Sequence, residues 1–159
     1  MLVEFARHAD RDRFEPGFVS LGARGVVAEE IEACGWKVLA MGEPRGCRPG
    51  LVVRLTELFR RSRFDIVHVH NIRPLLYGGM AARLAGVPGV VQTRHGRQSG
   101  FAMAARLANV VVGVSDDSVR LARQGGVTAR TIRNGIDVGR AVLLRVLQGG
   151  GELCQEAVG

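Results

Sequence analysis

Residues 64–71 read FDIVHVHN, a short apolar run that carries two histidines separated by a single valine. Its length and its β-branched residues predict a β-strand that ends near Asn71. Side chains alternate between the two faces of a sheet along a strand, so His68 and His70 should point to the same face. The role of these histidines therefore depends on the kind of sheet that contains them.

Strand and helix patterns alternate along most of the chain around this run. Near-continuous apolar strands separated by helices are typical of a parallel sheet with helices on both faces, because crossover helices bury both sides. The predicted class is α/β with a Rossmann-like, doubly wound sheet. The strands are predicted within residues 17–21, 36–41, 64–71, 87–96, 109–115 and 128–135, and the helices within 2–9, 28–34, 51–59, 74–85 and 118–124.

Ligands of such folds bind beyond the carboxyl ends of the strands. The residues that follow the predicted strands are therefore the candidate functional residues. They are His70, Asn71, Arg94, His95, Ser115 and Asn134.

Charge and composition restrict the classes of partner. The chain has 159 residues and a formal charge of +7, and Lys37 is its one lysine. Such a surface is attracted to phosphates, although dispersed arginines also simply solvate helix faces. Few aromatic residues and no recognition motif argue against nucleic acid, whereas an anionic membrane surface fits. No signal peptide or membrane-spanning stretch is recognised, so we expect a cytoplasmic protein, peripheral at the inner membrane face.

The three cysteines, Cys34, Cys47 and Cys154, are far apart and form no CxxC motif. This spacing indicates neither a disulfide framework nor a zinc site, and we expect reduced thiols. A His-x-His pair can also hold a metal ion, but His95 is the one candidate for a third ligand. We therefore predict no metal site, with His68 as a hydrogen-bonded core residue and His70 at the mouth of the strand.

The segment TRHG at 93–96 places a histidine at a strand end before glycine, which suits a ligand-contacting corner or an exposed loop. Arg94 and Arg97 flank it and carry the planar guanidinium that binds phosphate. Ser115 lacks the glycines of a nucleophile elbow, so an N-cap is its simpler role. No glycine-rich phosphate-binding loop is present.

Four segments together resemble the N-terminal, acceptor-side domain of a family 4 glycosyltransferase with the two-domain GT-B architecture. They are DIVHVHN (65–71), AARLAGVPGVVQTRHG (81–96), ANVVVGVSDDSVRLARQGGV (108–127) and TIRNGID (131–137). The resemblance implies sugar transfer with retention of the anomeric configuration, without a metal ion or cofactor. The co-substrate would be a nucleotide-diphosphate sugar, and the acceptor a sugar or a lipid-linked molecule.

The resemblance also assigns residue roles. It implies that His95 lies against the donor sugar as the catalytic residue, and that His70, Asn71, Arg94 and Ser115 contribute to substrate binding. Asn134 and Gly135 match the interdomain hinge of the family.

The match divides the chain into a glycosyltransferase domain at 1–132 and a hinge with a loosely ordered tail at 133–159. Family members open with a strand and a Gly-Gly loop that this sequence lacks, and their donor-binding half is not represented either. We therefore expect a partial enzyme that is inactive alone. The alternatives are a binding module that pairs with a separate donor domain, and a fragment of a related sugar-nucleotide epimerase.

Overall fold

A computed structural model describes residues 2–44, 46–95 and 101–133, and the structural statements below concern these residues. The described residues divide into two compact units, one of residues 2–18 and 25–39 and the other of residues 19–24 and 40–133. Each unit is described by itself.

The larger unit contains a four-stranded parallel sheet. Its strands lie in the order β3 (Ile66–His70), β4 (Gly89–Arg94), β5 (Val110–Gly113) and β6 (Arg130–Thr131), so that neighbours in the chain are neighbours in the sheet. The register pairs Ile66 with Gly89 and His70 with Thr93. Because every pair is parallel, the carboxyl ends of all four strands meet at one edge.

Helical segments precede or connect these strands. Helix α3 (Pro49–Ser62) precedes β3, and a helix composed of α4 (Ile72–Pro74), a π-helical turn (Leu75–Gly79) and α5 (Met80–Ala85) follows it. Helix α6 (Phe101–Ala104) and a 3₁₀ turn (Ala105–Leu107) precede β5, and α7 (Asp116–Gln124) precedes β6.

Local signals in the sequence set the ends of these helices. Ser115 is the N-cap of α7, and its side chain accepts a hydrogen bond from the backbone N–H of Ser118. Gly86 ends α5 in the left-handed conformation with φ of 76°, which suits a residue without a Cβ. The N-cap at Ser115 was predicted from the sequence.

One face of the sheet packs against the helices and forms the core. Val67, Val69 and Val90 are buried on this face. The facing helical residues recur at the spacing of one apolar helix face, as expected for an amphipathic helix. In α3 they are Leu51, Val52, Leu55 and Phe59, and in the helix after β3 they include Leu75, Ala81 and Ala82.

Glycines allow the helices to approach the sheet closely. A Cβ at Gly78 would lie 3.1 Å from Cγ1 of Val69. At Gly113 in β5, a Cβ would lie 2.8 Å from Cγ2 of Val119 and 3.0 Å from its backbone nitrogen. The contact between β5 and α7 therefore requires glycine at position 113.

The smaller unit contains helices α1 (Leu2–His8) and α2 (Val26–Ala33). Trp36 contacts several parts of this unit. The Nε1 of Trp36 donates to the carbonyl oxygen of Ala6 at 2.7 Å, and the guanidinium of Arg11 lies 4.2 Å from the centroid of the Trp36 ring. Phe18 contacts both Phe5 and Trp36 through its ring.

The strands β1 (Phe18–Ser20) and β2 (Val38–Ala40) pair with each other in a separate two-stranded sheet. All six predicted strands are therefore present, although among the described residues they form two sheets rather than one. The helical segments within 101–107 were not predicted from the sequence. No helix in the described part of the chain is long and apolar enough to cross a membrane.

The close approach at Gly113 yields a stability prediction. Gly113→Ala should lower the free energy of unfolding by about 1–3 kcal/mol, because the added methyl group overlaps the backbone of α7. Urea denaturation followed by circular dichroism measures this change. Gly50→Ala is the matched control, since a Cβ at Gly50 in α3 meets nothing within 4 Å. That control should be neutral or stabilising by up to about 1 kcal/mol, and equal effects of the two substitutions would contradict the packing argument.

Candidate functional site

Two histidines meet at the edge of the sheet where the strands end. His70 is the last residue of β3, and His95 follows the last residue of β4. Their rings stack with centroids 5.7 Å apart, and Nδ1 of His70 lies 3.3 Å from Nε2 of His95. A hydrogen bond at this distance requires one ring to supply its N–H and the other its lone pair. The predicted pair of strand-end histidines is therefore brought together.

His68 lies beside this pair, but it is not a core residue. Its ring centroid is 4.4 Å from that of His70, and its Nε2 hydrogen-bonds Oγ1 of Thr93 at 2.7 Å. The residue is nonetheless exposed, so the prediction of a buried core histidine is wrong. The reason is alternation: Val67 and Val69 take the face that packs against the helices, and His68 takes the opposite face. The predicted hydrogen bonding is present.

Partial loss of hydration and mutual proximity keep the histidine cluster of His68, His70 and His95 neutral. Loss of hydration, with smaller contributions from the neighbouring rings of His68 and His95, lowers the pKa of His70 to about 3. Desolvation also lowers the pKa of His68, with a second contribution from His95, and desolvation lowers the pKa of His95. Near neutral pH the cluster therefore presents imidazole nitrogens that both donate and accept hydrogen bonds, without a positive charge.

Asn71, directly after the cluster, has a strained backbone. Its φ of 71° and ψ of 173° lie in a region that is almost restricted to glycine. Its backbone N–H donates to the carbonyl oxygen of Thr93 at 3.3 Å, and its own carbonyl accepts from the N–H of Leu75. These two hydrogen bonds connect the end of β3 to β4 and to the following helix, so the strain turns the chain sharply beside His70.

Arg94, the last residue of β4, is buried, with 5% of its surface exposed. Desolvation lowers the pKa of its guanidinium. Strand alternation places it on the same face as Gln92, which is fully buried and donates from Nε2 to the carbonyl oxygen of Thr93. Arg94 is therefore adjacent to His95 in sequence but belongs to the other face of β4.

Ser115 stands at the carboxyl end of β5, where the sequence placed it. Its Oγ lies 3.0 Å from Oγ of Ser118 and accepts the N–H of that residue, so the hydroxyl caps α7. The next residue, Asp116, accepts from Thr131 Oγ1 at 2.8 Å and from Arg133 at 3.2 Å. These hydrogen bonds, with the charge of Arg133, lower the pKa of the Asp116 carboxyl.

Asn134 and Gly135, the predicted hinge residues, lie outside the described residues, as do Gly96, Arg97 and Cys154. Cys34 and Cys47 are free thiols, in agreement with the sequence prediction.

Two further features delimit the site. Within the described ranges, no three His, Cys, Asp or Glu side chains are arranged to hold a metal ion. An open groove between α7 and β6 contains none of the predicted site residues and is lined by Asp116, Val119, Arg120, Arg123, Gln124 and Thr131.

Thr93 was not identified from the sequence as a contact of the histidine cluster. Thr93 is buried and pairs with His70 in the strand register, and its hydroxyl holds His68. The signal was available, because Thr93 precedes His95 by two residues and therefore shares its side of β4.

The lowered pKa of His70 predicts a pH dependence of stability. The unfolded chain binds more protons than the folded chain below pH 6.5, so the free energy of unfolding should fall between pH 6.5 and about 3. Each histidine in this range contributes a slope of up to about 1.4 kcal/mol per pH unit. Urea titrations at several pH values measure the slope, which His70→Gln should reduce. The exposed His8 is the matched control, and an equal effect of His8→Gln would contradict the assignment.

The backbone of Asn71 predicts an unusual order of stabilities. Both Asn71→Gly and Asn71→Ala remove the side chain, but Gly relieves the strain and Ala retains it. The Gly variant should therefore be more stable than the Ala variant by about 1–3 kcal/mol, measured by urea denaturation. An Ala variant as stable as the Gly variant would show that the backbone is not strained.

The sequence was compared with protein families and with curated proteins. The family model described as Glycosyltransferase Family 4 matches residues 1–140. A curated relative from Escherichia coli, UDP-Gal:alpha-D-GlcNAc-diphosphoundecaprenol alpha-1,3-galactosyltransferase, is 47% identical over 45 residues. That match covers 28% of this chain and 12% of the relative, so it spans only a small part of the relative's length. Because the family model matches residues 1–140, the chain belongs to glycosyltransferase family 4. The parallel sheet and the histidines at its strand ends are consistent with this assignment.

Proposed function

We propose that this chain forms the acceptor side of a retaining glycosyltransferase. The enzyme would transfer a hexose from a nucleotide-diphosphate sugar to a sugar or lipid-linked acceptor, without a metal ion. The observation that carries the proposal is the pairing of His70 with His95 at the carboxyl ends of two parallel strands, in a chain that matches the family over residues 1–140.

Neutral imidazoles suit the recognition of sugar hydroxyl groups. A hydroxyl both donates and accepts a hydrogen bond. Because Nδ1 of His70 and Nε2 of His95 are hydrogen-bonded to each other, the neutral pair keeps one free N–H and one free lone pair for such a hydroxyl. The lowered pKa values of His70 and His95 keep both rings in this form near neutral pH. A charged imidazolium would only donate. In this proposal His95 contacts both the transferred sugar and the acceptor hydroxyl groups beside it, and His70 orients His95 through their hydrogen bond.

The relative from Escherichia coli suggests the class of acceptor. Its name describes an acceptor in which GlcNAc is joined through a diphosphate to a polyprenol, and a galactose donor. We propose that this chain also recognises a diphosphate-linked sugar on a lipid. Turnover would require a donor-binding domain in addition to residues 1–132, so the chain alone should bind acceptor without transferring sugar.

A binding experiment tests the proposal. The probe is a soluble GlcNAc-diphosphate carrying a short prenyl chain, titrated into the purified chain by calorimetry. His95→Ala should weaken binding by about ten-fold, because loss of one well-placed hydrogen bond costs about 1.4 kcal/mol. His95→Gln, which retains a donor and an acceptor, should lie between the wild type and His95→Ala. His8→Ala is the control and should leave the dissociation constant unchanged.

A second experiment measures whether the chain binds or turns over a sugar donor. UDP-galactose should bind weakly to this chain and should be neither hydrolysed nor transferred by it. Turnover by the chain alone would overturn the proposed division of labour, and unchanged acceptor binding in His95→Ala would overturn the role of His95. If the acceptor analogue binds only when a separately encoded donor domain is added, the chain is instead one half of a two-chain enzyme.

A further inference from the structure

An apolar stripe runs along the outer side of the helix that follows β3. Leu76, Met80 and Leu84, each four residues from the next, are 42%, 41% and 60% exposed. The opposite side of the same helix is buried against the sheet and the neighbouring helices, through Leu75, Gly78, Gly79, Ala81 and Ala82. The helix therefore has two apolar faces, and only one of them is used by the fold.

Helix α3 lies alongside this stripe and runs in the same direction. At one end, the hydroxyl of Tyr77 accepts from the backbone N–H of Arg48 at 3.0 Å, and at the other, Arg60 donates to the carbonyl oxygen of Leu84 at 2.8 Å. Val53, which is 67% exposed, precedes Arg60 by seven residues and therefore lies on the same face of α3. We call Val53, Arg60, Leu76, Met80 and Leu84 the outer helical surface.

The charge around this surface is mainly positive. Residues 48–63 and 72–86 contain one carboxylate, Glu57, which pairs with Arg61, and Arg54 pairs with Glu43, which lies outside these segments. The same segments hold seven arginines and therefore supply most of the formal charge of +7. These arginines are Arg48, Arg54, Arg60, Arg61, Arg63, Arg73 and Arg83.

We infer that the outer helical surface docks on an anionic lipid bilayer. The headgroup region of such a bilayer accepts both kinds of group found here, with phosphates facing the arginines and the acyl boundary facing the apolar side chains. A bound nucleic acid would leave the apolar side chains of Leu76, Met80 and Leu84 exposed to water. A second copy of this chain would place arginines next to arginines, which repel each other. The inference rests on the proposed function, since a lipid-linked acceptor has to be reached at a membrane.

Vesicle co-sedimentation of the full chain tests this inference. The vesicles contain phosphatidylcholine either alone or with about one third phosphatidylglycerol, without any acceptor lipid. We expect binding only to the anionic vesicles, and about a ten-fold or greater loss of binding between about 0.05 M and 0.5 M salt. The double variant Met80→Gln with Leu84→Gln should weaken partition by about ten-fold, because it removes apolar area from the membrane-facing side.

Matched variants separate this surface from charge in general. Arg61 and Arg63 are exposed and follow Arg60 of the outer helical surface at the carboxyl end of α3. Arg61→Gln with Arg63→Gln should weaken partition by about ten-fold or more, since each basic side chain near an anionic surface strengthens binding by about five-fold. Arg120→Gln with Arg123→Gln removes the same charge from α7 and should have little effect, as should Val26→Gln on α2. Circular dichroism confirms that each variant is folded.

Two results would overturn the inference. One is an equal loss of vesicle binding in the α7 pair, and the other is absence of binding together with self-association that Leu84→Gln abolishes. Because the vesicles lack acceptor and the acceptor probe is soluble, failure here leaves the proposed sugar recognition intact, and the reverse also holds.

Discussion

The parallel pairing of β3 with β4 is the interaction on which the candidate site depends. In a parallel pair, residues that face each other in the register project to the same side. The pairing of Val67 with Val90 therefore gives one face to the core, and the pairing of His70 with Thr93 gives the other face to polar groups. A shift of one residue would bury the histidines beneath the helices and expose the valines. The packing that stabilises the larger unit thus also fixes the side of the histidine cluster.

Packing against this sheet depends on residues without side chains at two points. Gly78 lets the helix after β3 approach Val69, and Gly113 lets α7 approach β5. The approach at Gly113 brings the amino end of α7, capped by Ser115, directly to the end of β5. Close packing and the position of a strand-end polar residue are therefore consequences of the same glycine.

Much of this arrangement can be predicted from local sequence. The six strands, the left-handed Gly86, the N-cap at Ser115 and the convergence of His70 with His95 follow from periodicity and from the geometry of parallel sheets. The exposure of His68 does not follow, because alternation gives the relative faces of two residues but not which face the helices cover. The division of the strands into two sheets depends on pairing between distant segments, which a pattern within one segment does not encode.

Asn71 shows where local rules fail at the site itself. Asparagine tolerates positive φ in the left-handed helical region, but its ψ of 173° lies well outside that region, and no sequence signal predicts this. Such strain persists only where the surrounding structure imposes it, here through hydrogen bonds to Thr93 and Leu75. Since Asn71 follows His70 directly, these hydrogen bonds fix the path of the backbone immediately after the histidine pair. A strained backbone of this kind is commoner at binding sites than elsewhere in proteins, so it adds to the reasons for proposing that this edge of the sheet binds a ligand.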